Sequence, residues 1–235
     1  MLPRMEDSKD DSTVDSKEDT APTEGDERAR NIDTGRVLAL SDGVFAIAAT
    51  LLVLDLKLPD GLTGEQVTDH LHDLIPVAGA YALSYVLIGV LWLAHHRLFR
   101  LVARVSGRVA QLNLILLGLI SLLPFVTSVL ARYGDQRLPT QLYAATITAI
   151  FLLEAAVTLA AARAGHLTDP GAAAGLVVRA AIGAVIFAAS IGIAAVDQHW
   201  APAAAKYSWL ALIPARPLAT WATRQVRSGR GSGTG

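Results

Sequence analysis

Six apolar stretches, each close to the length of a membrane-spanning helix, constrain this chain more than any other feature of its sequence. They cover approximately residues 37–56, 74–94, 109–130, 142–162, 175–196 and 207–222. A helix of about 20 residues rises roughly 30 Å, which matches the hydrocarbon core of a bilayer. Only 17% of the residues are charged, which is little for a domain whose surface must be wetted by water. We therefore predict an all-α, polytopic membrane protein with six transmembrane helices.

Polar segments flank the apolar part of the chain. Residues 1–27 hold ten acidic residues against three basic ones, and this composition cannot bury enough apolar surface to fold alone. We predict a disordered acidic tail over residues 1–30, a membrane domain over 31–227 and a flexible glycine-rich end over 228–235. The polar connections inside the membrane domain are too short to hold a soluble catalytic domain. We therefore expect that the protein is not an enzyme.

The distribution of basic residues predicts how the helices are oriented in the membrane. The connection 97–108 carries four arginines and no acid, whereas 57–73 carries one lysine and four acids. Short loops rich in Lys and Arg stay on the cytoplasmic side. Arg163 and Arg179 flank the fourth connection and place it on that same side. The alternation predicts that both chain termini are cytoplasmic.

The first apolar stretch has two chemically different faces. At 100° per residue, Ile47, Leu51 and Leu54 fall on one apolar stripe of the predicted helix, and Asp42 falls on the opposite side. A charged residue inside a membrane helix is costly and usually has a functional or structural reason. Two arrangements stay open: the stripe faces lipid while Asp42 faces protein, or the stripe lines a symmetry axis.

Several motifs resemble the transmembrane protein 175 family, which comprises lysosomal potassium channels and their bacterial homologues. Residues 36–42 read Arg-x-x-x-Leu-Ser-Asp, where the family usually has Phe in place of Leu40. The resemblance continues in Trp-x-x-His-His at 92–96, in Asn113 and in Pro-Phe at 124–125. It covers roughly residues 36–130, and the remaining stretches match the family only in number and length.

The resemblance implies a potassium-selective, leak-type cation channel of a bacterial plasma membrane, built as a homotetramer. In that family the first helix of each subunit lines the pore with apolar layers and no filter of backbone carbonyls. The chain agrees in lacking a TVGYG-like segment. Carried over by position, the pore-lining residues are Ile47, Thr50, Leu51 and Leu54. Four copies of Asp55 at the outer mouth of such a pore would concentrate cations.

A second group of residues is polar and maps near the cytoplasmic half of the predicted helices. Its members are Arg36, Ser41, Asp42, Trp92, His96 and Asn113. An acid inside the membrane needs basic or hydrogen-bonding partners, and these residues are the candidates. We expect a structural network that joins the first helix to the second and third, as the family resemblance also implies.

Other functions remain as alternatives. Asp42, Glu154 and His96 could form the relay of a proton-coupled secondary transporter, and a structural membrane protein without flux is a third class. His95 and His96 are neighbours on a helix and point about 100° apart, so they are poor joint metal ligands. We expect no metal, no cofactor and no nucleic-acid partner. The expected partners are potassium ions as permeant, membrane lipid and further copies of the chain.

Overall fold

The structure is a computed structural model that describes residues 33–196 and 201–209, and all of its regular elements are helices. The helices are α1 (Thr34–Leu51), continued by a 3₁₀ turn (Leu52–Asp55), α2 (Gly64–Leu101), α3 (Gly107–Tyr133), α4 (Arg137–Arg163), α5 (Pro170–Val196) and the short α6 (Ala201–Ser208). The helices α1 to α5 are long and apolar enough to cross a membrane. The prediction of an all-helical membrane protein is thus confirmed, with five of the six predicted spans.

The remaining predictions on chain organisation fall largely outside the described part of the chain. The sixth apolar stretch, 207–222, is described only as far as residue 209. The predicted acidic tail (1–30) and the glycine-rich end (228–235) also lie outside it.

The second helix begins much earlier than its apolar stretch. It starts at Gly64, where the Gln66 side chain accepts a hydrogen bond of 3.0 Å from the Thr63 backbone N–H. This reciprocal cap stabilises a helix start inside the polar segment 57–73. The 38 residues of α2 rise about 57 Å, which is well beyond one hydrocarbon core. The predicted polar connection is therefore helical over its second half.

The five long helices pack so that α4 lies between α3 and α5, and α1 lies against α3 and α2. The main hydrophobic core contains residues from each of the five long helices and includes Phe45, Ile120, Tyr143 and Phe187. A second core cluster holds the start of α1, the end of α2, the start of α3, the end of α4 and the start of α5 together. The α2–α3 and α4–α5 connections and the N terminus of α1 therefore lie at one end of the bundle.

The two connections at this end of the bundle are bound to each other. The Ala103 N–H donates to the His166 carbonyl at 2.8 Å, and the Thr168 N–H donates to the Leu101 carbonyl at 2.9 Å. These two bonds frame an isolated antiparallel bridge between Val102 and Leu167. Just before this bridge the chain turns through Gly165, whose φ of +69° favours glycine. Residues on both loops are thereby held in one surface.

One close contact between α4 and α5 involves a glycine. A Cβ atom added to Gly183 would lie 2.7 Å from ring atoms of Phe151, whereas one added to Gly192 on the same helix would meet nothing within 4 Å. We expect Gly183→Ala to lower the free energy of unfolding by about 1–2 kcal/mol, because the packed ring must shift. Thermal unfolding of the purified protein in detergent measures this loss. Gly192→Ala is the matched control, and equal stability of the two variants would contradict the prediction.

Candidate functional site

The apolar stripe of α1 has no partner in the described part of the chain. The exposed fractions are 59% for Ile47, 43% for Leu51 and 56% for Leu54. Thr50, beside them, is also exposed. The opposite face of α1 is buried through residues that include Phe45. Lipid or another copy of the chain must cover the stripe in a membrane, because it cannot face the subunit's own core.

Thr50 places one hydroxyl among these apolar side chains. Its hydroxyl donates to the Ala46 and Ile47 carbonyls at 3.1 and 3.0 Å, so the hydrogen is used inside the helix. The oxygen can still accept a hydrogen bond. The stripe therefore carries one weak acceptor in an otherwise apolar surface.

The last turn of the stripe differs from an α-helix. At Leu52 the chain tightens into the 3₁₀ turn, which ends at Asp55. A 3₁₀ turn rises about 2.0 Å per residue instead of 1.5 Å and changes the angular spacing of side chains. Leu54 remains exposed in this turn, and the side chain of Asp55 lies outside the described part.

The polar residues of α1 bind partners on α2 and α3. The Trp92 indole N–H donates to the Asp42 carboxylate at 2.8 Å. The Asn113 amide donates to the Ser41 hydroxyl at 3.1 Å, and the Ser41 hydroxyl donates to the Val37 carbonyl at 2.9 Å. Ser41 and Asn113 are almost fully buried. These bonds join α1 to α2 and to α3, on a face that turns away from the apolar stripe.

The histidine that completes this chain of hydrogen bonds is His95. Its Nε2 lies 2.8 Å from the Asn113 side-chain oxygen, and its ring is fully buried between Phe45 and Phe99, with ring centroids at 5.4 and 4.6 Å. The ring of His96, which was the predicted network residue, instead contacts that of Trp92 at 5.6 Å between centroids. Helical periodicity could have indicated His95, because it continues the buried face of α2 through Leu91 and Leu98.

Arg36 is the predicted network residue that the structure does not bring to the others. It is exposed in the first turn of α1, next to the N-cap that Asp33 makes by accepting from the Gly35 N–H at 2.9 Å. Among the described residues Arg36 has no hydrogen bond or ion pair with Ser41, Asp42 or their partners.

A second buried polar cluster joins α2, α3 and α4 nearer the other end of the bundle. The Thr127 hydroxyl donates to the Ser84 oxygen at 2.9 Å, and the Ser84 and Tyr143 hydroxyls are 2.9 Å apart. The Tyr143 ring stacks on Trp209 at 5.1 Å between ring centroids. This cluster was not predicted from the sequence, because single hydroxyl residues are common in membrane helices and form no motif.

Glu154 is buried inside the α4–α5 interface. Its exposed fraction is 6%, and Oε1 has no hydrogen-bond partner in the described part of the chain. Arg179 on α5 is the charged residue that acts on it electrostatically. The influence of Arg179 favours charge compensation by an arginine over the relay role that the transporter alternative assigns to Glu154.

The described part of the chain contains no cluster of three or more residues that could hold a metal ion. The arrangement instead offers an unpartnered apolar face on α1 that is held in place from behind by buried hydrogen bonds. Such a face can line a pathway between subunits or contact lipid, and relatives of known activity help to decide between these roles.

Comparison with known proteins gives a consistent result. A family model described as the endosomal/lysosomal potassium channel TMEM175 matches residues 36–124. A protein of Streptomyces collinus named as a potassium channel is 37% identical over 175 residues, which are 70% of this chain and 84% of that protein. A protein of Chamaesiphon minutus named as a potassium channel is 41% identical over 126 residues, which are 52% of this chain and 62% of that protein.

A solved structure agrees with these relatives. The crystal structure of a lysosomal potassium-selective channel TMEM175 homologue from Chamaesiphon minutus superposes with a TM-score of 0.67 at 30% identity. The superposition covers 79% of this chain and 97% of that one. The similarity thus extends beyond the motif-bearing helices to the arrangement of the bundle.

Proposed function

Because this chain belongs to the TMEM175 family, we propose that it forms a potassium-selective, leak-type channel whose pore is lined by α1 from four copies of the chain. The family consists of ion channels and not of enzymes. Ile47, Thr50, Leu51 and Leu54 are the proposed pore-lining residues, and Asp55 is proposed to lie at the pore mouth.

The observation that carries the proposal is the division of α1 into two faces. One face is fixed to α2 and α3 by the bonds of Asp42 and Ser41. The other face presents Ile47 and Leu54 with more than half of each side chain exposed. A helix that is clamped from behind can hold such side chains in place around an axis.

The proposed orientation places both termini in the cytoplasm of a bacterial cell, with six crossings of the plasma membrane. The arginine-bearing connections and the N terminus of α1 share one end of the bundle, where the positive-inside rule puts the cytoplasm. The connection between α1 and α2, which contains Asp60, and the start of α2, with Glu65 and Asp69, lie at the opposite end. The proposed sixth crossing uses the stretch 207–222.

The proposed mechanism rests on stacked apolar rings. Four copies of Ile47, Leu51 and Leu54 would form narrow layers that hold no continuous column of water, and such constrictions block ions by dewetting. A small widening admits a partly hydrated cation. Potassium sheds its water at lower cost than sodium, so a tight apolar layer favours potassium.

The carboxylate of Asp55 provides a test of the pore mouth. We expect Asp55→Asn to reduce potassium conductance roughly twofold at about 20 mM salt and to have little effect at about 500 mM, since salt screens the attraction of cations. Single-channel recording in planar bilayers measures this change. Asp69→Asn, which removes an exposed charge from α2 at the same end, is the control, and an equal effect of both substitutions would remove Asp55 from the mouth.

The proposed function itself is tested by ion flux from liposomes that contain the purified protein. We expect fast, passive potassium flux down its gradient and much slower sodium flux. The competing function is a proton-coupled secondary transporter, with Asp42, Glu154 and His96 as relay. Flux that saturates and requires a proton gradient would favour the transporter and reject the channel.

A further inference from the structure

The end of the bundle that holds the N terminus of α1 carries an exposed arginine surface. Its members are Arg97, Arg100, Arg104, Arg108 and Arg163, all with exposed side chains. They come from the end of α2, the α2–α3 loop, the start of α3 and the end of α4. The bridge between Val102 and Leu167 ties the α2–α3 loop to the α4–α5 loop, and the helix ends that carry the arginines are thereby held together.

No acid in the described part of the chain neutralises this surface by an ion pair. Two acids flank it, and each caps a helix: Asp33 accepts from the Gly35 N–H, and Asp169 accepts from the Ala172 N–H, both at 2.9 Å. A cluster of like charges at close range is unfavourable and attracts an anionic partner. The arginine surface therefore favours a partner of opposite charge.

The same chain supplies a segment of matching charge. Residues 6–27 contain ten acids and two lysines, and they precede Asp33 at the start of α1. Since α1 begins at the end of the bundle where the arginines lie, this segment is attached beside them. We propose that the acidic segment 6–27 binds the arginine surface and acts as its built-in counter-charge.

Chain length permits this contact. The acidic residues are separated from Asp33 by 6 to 27 residues, and chains of that length span at most about 20 to 90 Å. A tethered segment has an effective concentration near its site in the millimolar range. The tether keeps the acidic segment within reach of the arginines at any protein concentration, and anionic lipid head groups are the competing anions.

The contact has a consequence for permeation that rests on the proposed channel function. An uncompensated arginine surface near the cytoplasmic entrance would lower the local concentration of cations. The bound acidic segment reverses the sign of that potential and favours cation entry. Its effect on conductance falls with ionic strength, because both contributions are screened.

Crosslinking in the full chain tests the contact without any flux measurement. The protein has no cysteine, so Ser16→Cys and Ala103→Cys form a unique pair, one in the acidic segment and one in the exposed α2–α3 loop. The crosslink yield with a short bismaleimide is measured in nanodiscs of zwitterionic lipid. Ser16→Cys with Thr68→Cys, which is exposed at the opposite end of the bundle, is the matched control.

We expect the Ser16–Ala103 pair to crosslink roughly fivefold better at about 20 mM than at about 500 mM KCl, since the attraction is screened at high salt. Arg100→Gln, Arg104→Gln and Arg108→Gln combined should reduce the low-salt yield by a similar factor. Size-exclusion chromatography checks that this variant still assembles. A second variant, with the ten acids of the segment changed to amides, leaves all described residues unchanged and should lower the low-salt yield in the same way.

Two results would overturn the proposal. The first is a yield that depends on neither salt nor the arginines, which would mean that the segment is near the surface only through its tether. The second is a low yield in zwitterionic nanodiscs combined with arginine-dependent retention of phosphatidylglycerol, which would assign the surface to lipid. Neither result bears on whether potassium permeates, so failure of the proposed function remains distinguishable.

Discussion

Replacing Ile47 with asparagine is expected to raise potassium conductance about tenfold and to remove most of the preference for potassium over sodium. The exposed Ile47 side chain is the proposed apolar ring that excludes a continuous water column. Four amide groups in its place would hold water in the constriction. Lowering the barrier by only about 1.4 kcal/mol is enough for a tenfold increase in rate.

The measurement is paired flux from liposomes under potassium and sodium gradients, followed by single-channel recording. Val185→Asn is the matched control, because Val185 lies on α5 and is 67% exposed, similar to Ile47. It should leave both flux and selectivity unchanged. If Ile47→Asn permeates as the unsubstituted protein does, the stripe of α1 faces lipid and the pore must be sought elsewhere.

Replacing Asn113 with leucine is expected to lower the free energy of unfolding by about 2–3 kcal/mol, because buried partners on two other helices lose a hydrogen bond. The Asn113 amide is 3.1 Å from the Ser41 hydroxyl and 2.8 Å from His95 Nε2. Leucine has the same number of side-chain heavy atoms and the same branching as asparagine, but it offers neither a donor nor an acceptor. The loss should also loosen the attachment of α1 to the bundle.

Thermal unfolding in detergent measures the loss of stability. Gln111→Leu is the control, since Gln111 is an exposed amide on the same helix. A double-mutant cycle with Ser41→Ala should give a coupling free energy of about 0.6–1.7 kcal/mol, the range found for polar contacts between membrane helices. If Asn113→Leu is as stable as Gln111→Leu, the buried bonds do not hold α1.

Part of the site was accessible from sequence because it depends on local periodicity. The 100° spacing places Ile47, Leu51 and Leu54 on one stripe whatever the neighbouring helices do, and the structure leaves that stripe exposed. The pairing of Asp42 with Trp92 lies within the polar set that the sequence indicated. The pore role of the apolar stripe stays a prediction, because a stripe that is exposed in one subunit can face either lipid or a neighbouring subunit.

Other features of the site depended on rotational phase. A one-residue difference turns a side chain by 100°, which is enough to exchange His95 for His96 behind α1. The buried run through Leu91 and Leu98 determines this phase, and it places His95 inside. The early start of α2 could also have been predicted from the sequence, because the Thr63–Gln66 cap is encoded in four consecutive residues.

By itself, the sequence determined that the chain is a helical membrane protein with its arginines concentrated in particular connections, because hydropathy and charge act over short stretches. Only the tertiary structure decided which helix faces meet. The Asn113–Ser41 bond, the cluster of Ser84, Thr127 and Tyr143, and the bridge between the α2–α3 and α4–α5 loops all join residues more than 40 positions apart. Such contacts depend on how the helices pack against one another, and no local pattern encodes that packing.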